Sequence, residues 1–201
     1  MSWREFFDNK KLLIEFIVTV ILLIFVLHFL TQILNYAEQR KGVVLDDPVL
    51  KTFGAINLTW LVFTLIYFSI IIFFLLLVRH PQKLMFAIQA YALMIIIRII
   101  AMYLMPLNPP AGMIQLNDPF VQYFGTGKVL TKDLFFSGHT ATLFLFFLIT
   151  ENKFFKNLFL IFTALVAASV LLQHVHYSID VFAAPFFSYA SYKIVGSIHK
   201  A

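Results

Sequence analysis

The chain has 201 residues, 61% of them apolar and 12% charged, and phenylalanine alone fills 25 positions. That is well above the roughly 45–50% apolar share of ordinary globular proteins, and a soluble domain of this size has too little interior to hide so much apolar surface. Cysteine is absent, which removes disulfides, a thiolate nucleophile and a thiolate metal site, and the net charge of +5 comes from short basic clusters at the ends of apolar segments, a pattern that suits membrane loops better than a nucleic-acid binder.

A membrane-crossing helix needs about 20 apolar residues. Six stretches come close, at about 12–34, 56–78, 84–105, 134–150, 154–173 and 177–197. The predicted fold is therefore all-α, an integral membrane bundle of six transmembrane helices forming one domain over residues 1–201. The first stretch is long and has no small-residue cleavage site after it, so it reads as a retained helix. Glu15 and His28 lie within it; Glu15 is near enough to its end to reach headgroups, and His28 reads as a packing or interfacial residue. Pro185 falls inside the sixth stretch, where membrane helices tolerate a kink.

Basic residues bias loops toward the cytoplasm. Nine of them (Arg4, Lys10, Lys11, Arg79, Lys83, Lys153, Lys156, Lys193, Lys200) fall on one side of the six-helix arrangement, and five (Arg40, Lys41, Lys51, Lys128, Lys132) on the other. The richer side is assigned to the cytoplasm, together with both termini. Arg98, the remaining basic residue, is inside the third stretch. His139 and His176 then open the fourth and sixth helices from the same, non-cytoplasmic face. Arg98 lies about two turns from that face, at 1.5 Å per residue.

The three polar elements each permit a functional and a plain reading. In HVHYSID, His176 and Asp180 are four apart and share a helix face. A carboxylate beside an imidazole fixes its tautomer and makes the other ring nitrogen a better nucleophile or base; the plain reading is a helix-end histidine with a capping aspartate. In SGHT, Ser137 and Gly138 open a helix, where free N–H groups favour an anion, and Gly138 permits close approach of a phosphate. His139 can then act as general acid. The plain reading is an N-cap serine before a buried histidine. Arg98 in IIIRIIAMYLM is costly in a membrane without a cavity or a partner. Its fork suits phosphate oxygens, and a structural ion pair is the alternative.

Taken together, these residues resemble the type-2 phosphatidic acid phosphatase superfamily, and within it the sphingomyelin synthase branch. The segment Lys132-Asp133-Leu134-Phe135-Phe136-Ser137-Gly138-His139-Thr140 keeps the Asp, Phe, Ser, Gly, His and Thr of C-G-D-Y-x-F-S-G-H-T. His176-Tyr177-Ser178-Ile179-Asp180-Val181 differs from H-Y-T-[IV]-D-V by one Thr-to-Ser change. Arg98-Ile99-Ile100-Ala101-Met102-Tyr103 follows R-x-x-x-M-Y and leads to Pro106, Pro109 and Pro110. Val44-Leu45-Asp46-Asp47-Pro48 matches P-L-P-D only loosely. The likeness covers about residues 40–195. The phosphatase element K-x6-R-P is missing, Phe136 stands where those enzymes have proline, and Val170 follows Ser169 where they have arginine.

The resemblance implies that His176, oriented by Asp180, attacks the phosphorus of a phospholipid donor to give a phosphohistidine. His139 protonates the leaving oxygen and later activates the acceptor, a ceramide- or diacylglycerol-like alcohol or water. Arg98, Ser137 and Gly138 would hold the phosphoryl oxygens, and Asp133 would orient His139. Tyr103 and Tyr177 are either interfacial belt residues or cation–π partners of a choline- or ethanolamine-type headgroup. No cofactor and no metal is implied, and the expected partners are the membrane and its lipids. Three alternatives stay open: a hydrolase of the same fold, a transition-metal site gathering His139, His174, His176, Asp133 and Asp180, and a non-catalytic transporter or scaffold.

Overall fold

Apolar side chains alone do not decide on helices; the lipid does, because every backbone N–H and C=O inside it must be satisfied within its own segment. The computed structural model describes residues 1–117 and 130–199, and among these it contains seven α-helices and no strand. They are α1 (Trp3–Asp8), α2 (Lys10–Gln39), α3 (Thr59–Leu77), α4 (Pro81–Leu104), α5 (Gly138–Ile149), α6 (Lys153–Leu172) and α7 (Ser178–Ile198). Lys128 and Lys200, used in the loop-charge count, lie outside the described residues.

Local chemistry sets the helix starts. Asn9 accepts from the N–H groups of Lys11 and Leu12, and Asn152 from those of Phe154 and Phe155. Pro81 occupies the first position of α4, where its missing N–H costs nothing. The short α1 has no counterpart in the sequence reading. Ser2 and Glu5 cap it reciprocally, Phe6 is buried, and the Trp3 indole N–H donates to the Val78 carbonyl at 2.6 Å.

The six-span expectation is met in part. By length and composition, α2, α3, α4 and α6 qualify to cross a membrane, which makes the chain an integral membrane protein. Helix α5 has only 12 residues, because Leu134–Phe136 of the expected fourth span is a buried loop. Helix α7 has 21 residues, but Ser178, Asp180, Ser188, Ser191 and Lys193 dilute its apolar character.

The helices alternate in direction. One end of the bundle gathers loops 40–58, 105–117, 130–137 and 173–177; the other holds α1 and the turns at 78–80 and 150–152. Helix α4 packs on α2 and α7, α5 on α6 and α7, and α3 on α6. Ala90, Ala141, Ala184 and Ser188 are fully buried, small enough for close backbone approach. The Ser188 hydroxyl donates to the carbonyls of Ala141 (2.8 Å) and Ala184 (2.9 Å). Phe73 stacks on Phe146 with ring centroids 4.0 Å apart, and Phe159 meets both rings edge-on. Helix α2 is peripheral, with Thr19, Val26, Leu34 and Ala37 its buried residues.

The loops at the first end are stitched together. Val43 N–H donates to Pro106 O at 2.8 Å, Asn108 N–H to Val43 O at 2.9 Å, and the Asn108 amide to Gly42 O at 2.8 Å. A Cβ on Gly42 would sit 2.5–2.7 Å from the backbone of Leu107 and Asn108. Gly42→Ala is therefore expected to destabilise the fold by about 1–3 kcal/mol, the usual range for overpacking. Thermal unfolding in detergent checks it, and an unchanged midpoint would show that the stitch is soft.

Candidate active site

A buried cation determines the local geometry. Arg98 lies in α4, six residues before its end and 5% exposed. Its Nη2 donates to Asp133 Oδ1 at 2.5 Å, and its Nε to the Phe136 carbonyl at 3.1 Å. Nη1 has no acceptor among the described residues and lies against Gly138. A Cβ at Gly138 would come within 2.8 Å of the guanidinium carbon and Nη1. Glycine is thus required here for the arginine to approach, where the sequence had suggested room for a phosphate.

Asp133 is half-buried in the loop before α5. Burial pushes its carboxyl up, but the Arg98 guanidinium, His176 and His139 together outweigh that and hold it below the ordinary carboxylate value. Asp133 therefore stays ionised across the physiological range.

Ser137 caps α5. Its Oγ lies 3.1 Å from Thr140 Oγ1 and 3.5 Å from Thr140 N, and its own N–H donates to the Asp180 carbonyl at 3.1 Å. What Ser137 gives the site is the position of a helix start, joined directly to α7. His139, one residue into the helix, sets its ring edge-on to Phe63 at 6.1 Å.

His176 lies in the loop just before α7, not on a shared helix face, and its Nδ1 lies 3.3 Å from Asp180 Oδ2 in the first turn, with both side chains buried. An ionised carboxylate can only accept, so Nδ1 is the donor of this contact and Nε2 is turned away from it. Asp180 is the third residue of the helix and also accepts the N–H of the cap residue Tyr177 at 3.2 Å. Capping and imidazole orientation, alternatives in the sequence reading, are done by one oxygen. Asp180 Oδ1 is buried and has no partner among the described residues.

Two expected site residues are placed elsewhere. Tyr177 is 1% exposed; its hydroxyl donates to Asn108 O at 2.9 Å and accepts from Leu45 N at 3.1 Å. It ties loops together and is not an interfacial ring. Tyr103 is 56% exposed and stacks on Tyr36 at 6.3 Å, with the Arg40 guanidinium over both rings. That is the belt arrangement at the C-terminal end of α4. Among the described residues no three His, Asp or Glu side chains gather as metal ligands, so the suggested five-residue metal set is not assembled there.

Two carboxylates that the sequence does not single out as site residues bind here. Asp47 Oδ2 accepts the Ser178 N–H (2.7 Å) and hydroxyl (2.8 Å), while Oδ1 accepts from Val49 and Leu50. It caps α7 from a separate loop, and it is the aspartate of the loosely matched Val44–Pro48 stretch. Ser178, the one change in its motif, supplies the hydroxyl for this contact. Glu38, at the end of α2, accepts the N–H groups of Thr131 and Lys132. Its only sequence signal is a carboxylate closing a long apolar run.

With this geometry in view, residues 132–197 match the family model described as PAP2 superfamily C-terminal. The matched stretch covers Asp133, all of α5 and α6, and α7 but for its last residue. It supports the type-2 phosphatidic acid phosphatase superfamily, and with it a membrane enzyme of the lipid phosphatase or phosphotransferase type. No curated protein matches the chain.

Two expectations follow. Burial pushes the Asp47 carboxyl up, but hydrogen bonds from Ser178, Leu50 and Val49 hold it below its ordinary value. A depressed carboxyl contributes stability that is full above the unfolded value, about 3.9, and is lost as pH falls through the lower folded value. Asp47→Asn should cost about 1–3 kcal/mol at neutral pH, and the gap to wild type should close on acidification below about pH 4; denaturation at several pH values checks it. Gly138→Ala should leave the fold near normal, because the flexible guanidinium gives way, but lower turnover at least about tenfold by displacing Arg98. Steady-state kinetics with a melting control checks that.

Proposed function

We propose that the chain is a membrane-embedded phosphotransferase that moves a phospho-headgroup from a glycerophospholipid to a ceramide- or diacylglycerol-like alcohol, in the manner of the sphingomyelin synthase branch. The observation that carries this reading is the buried His176–Asp180 pair, with Nδ1 held at 3.3 Å and Nε2 left as the nucleophile. Nε2 attacks phosphorus, the bond from phosphorus to the diacylglycerol oxygen breaks, and His139 gives that oxygen its proton. The acceptor hydroxyl then loses its proton to His139 and attacks phosphorus. The P–N bond breaks and His176 is restored. Arg98 Nη1 and the first-turn N–H groups of α5 supply the electrostatic stabilisation such a transfer needs. The scheme uses no metal and no cofactor.

Charge balance supports a diester as the donor. The phosphatase elements K-x6-R-P and S-R are absent, and the remaining arginine is already neutralised by Asp133. A site of that net charge suits the single negative charge of a phosphodiester better than the dianion of a phosphomonoester. The family match favours a second reading, a hydrolase in which water replaces the lipid alcohol. The loop-charge asymmetry supports a site on the non-cytoplasmic side.

Product analysis by mass spectrometry separates the two readings. Purified protein in mixed micelles receives phosphatidylcholine, phosphatidylethanolamine and phosphatidate, with and without ceramide. Ceramide carrying a new phospho-headgroup is the expected result; free phosphocholine, phosphoethanolamine or phosphate identifies the hydrolase. His176→Ala should abolish either product, and Asp180→Asn should lower kcat by about 100- to 10,000-fold. Near-normal turnover in folded samples of both variants would overturn the phosphohistidine scheme.

A further inference from the structure

Loop 130–137 carries Asp133 and Phe136, the two groups that hold the Arg98 guanidinium. What holds the loop is the end of α2, a helix outside the stretch matched by the family model. Glu38 Oε1 accepts the N–H of Thr131 at 2.5 Å and that of Lys132 at 2.6 Å, and Oε2 accepts the Thr131 hydroxyl at 3.0 Å. Lys132 Nζ donates in return to Arg40 O at 2.7 Å. One carboxylate thus binds two consecutive amides, fixing the direction in which the chain leaves residue 132. The next residue is Asp133.

We infer that Glu38 is a positioning residue for the phosphate site, fixing the loop so that Asp133 holds the Arg98 guanidinium against Gly138. Arg98 ends a flexible side chain, and Asp133 on an untethered loop would follow its movements. With Glu38 in place, the direction of Nη1 is set before substrate arrives. The energetic argument concerns preorganisation: an arginine already aimed loses no rotamer freedom at the moment of reaction. A displacement on the order of 1 Å in such a group costs roughly 100-fold in rate. The inference rests on the phosphotransfer reading for its kinetic consequence, but the anchoring can be read without turnover.

The test uses the full chain in detergent micelles as wild type, Glu38→Gln, Asp133→Asn and the double variant. Hydrogen–deuterium exchange comes first. Exchange is expected to quicken in Glu38→Gln from Thr131 through Ser137, with the core of α6 unchanged. Kinetics follow on phosphatidylcholine with ceramide, or on whichever of the three phospholipids the wild type turns over. The expected result is a kcat lowered about 10- to 100-fold with KM within about twofold, and a double variant no worse than Asp133→Asn alone. That non-additivity distinguishes action through Asp133 from a general loss of structure. Unchanged exchange would overturn the inference, as would a loosened loop with wild-type kcat or fully additive losses. Should the wild type act on none of the lipids, the phosphotransfer reading has failed, and the exchange data still decide whether Glu38 anchors the loop through Ser137.

Discussion

A guanidinium buried near the end of a membrane helix constrains everything around it. Its charge is costly in a medium that cannot solvate it, so each N–H must find an oxygen or face a polar space. Asp133 supplies one oxygen and the Phe136 carbonyl another. Those two demands require the chain between them to be a loop with exposed backbone groups, even though Leu134 and Phe136 are buried and apolar. They also require that the residue beside the guanidinium have no Cβ, which places Gly138 at the start of α5. The helix start, the loop and the ion pair form one arrangement.

The rest of that end of the bundle holds the arrangement still. Contacts between residues far apart in sequence do most of the fastening: Glu38 to Thr131, Asp47 to Ser178, Tyr177 to Asn108 and Leu45, Ser137 N–H to Asp180 O. Most involve a buried or half-buried polar group with its partners in place, where a missing partner is expensive. Such a network resists small displacements more than apolar packing does, because hydrogen bonds fix direction as well as distance. A site built on loops needs this if its groups are to be held as firmly as groups on a helix face.

How much of this could be read from the sequence depends on what each signal measures. The apolar runs that became α2, α3, α4 and α6 were legible because length and hydropathy are what a bilayer selects. The run at 134–150 misled, since apolarity reports burial and the first residues are buried as loop. Helix α1 was missed because six residues do not register against a span-length criterion. That His176 and Asp180 would meet could be foreseen, but not on a shared helix face, because His176 lies before α7 and the contact spans the helix start. The role of Gly138 as a seat for Arg98 could not, and neither could the burial of Tyr177, for both depend on which distant segment arrives. Glu38 and Thr131 lie 93 residues apart, and no local pattern encodes their contact.

The two helix starts that meet at the site are electrostatically unlike, and this gives the proposed reaction a direction. The positive end of α7 already receives two carboxylates, Asp47 at Ser178 and Asp180 at the Tyr177 N–H. Little of its dipole is left for a substrate anion, and Asp180 holds the His176 ring at that helix start. The start of α5 has the buried cation Arg98 at its side, with Nη1 against Gly138. In the proposed reaction a phosphoryl group would be drawn toward α5 while His176 approached from the start of α7. Had both helix starts been equally cationic, phosphate could settle against either, and attack by His176 would compete with unproductive binding. On the proposed reading, acid at the start of α7 and the Arg98–Asp133 pair beside the start of α5 would leave α5 the more favourable place for the phosphate.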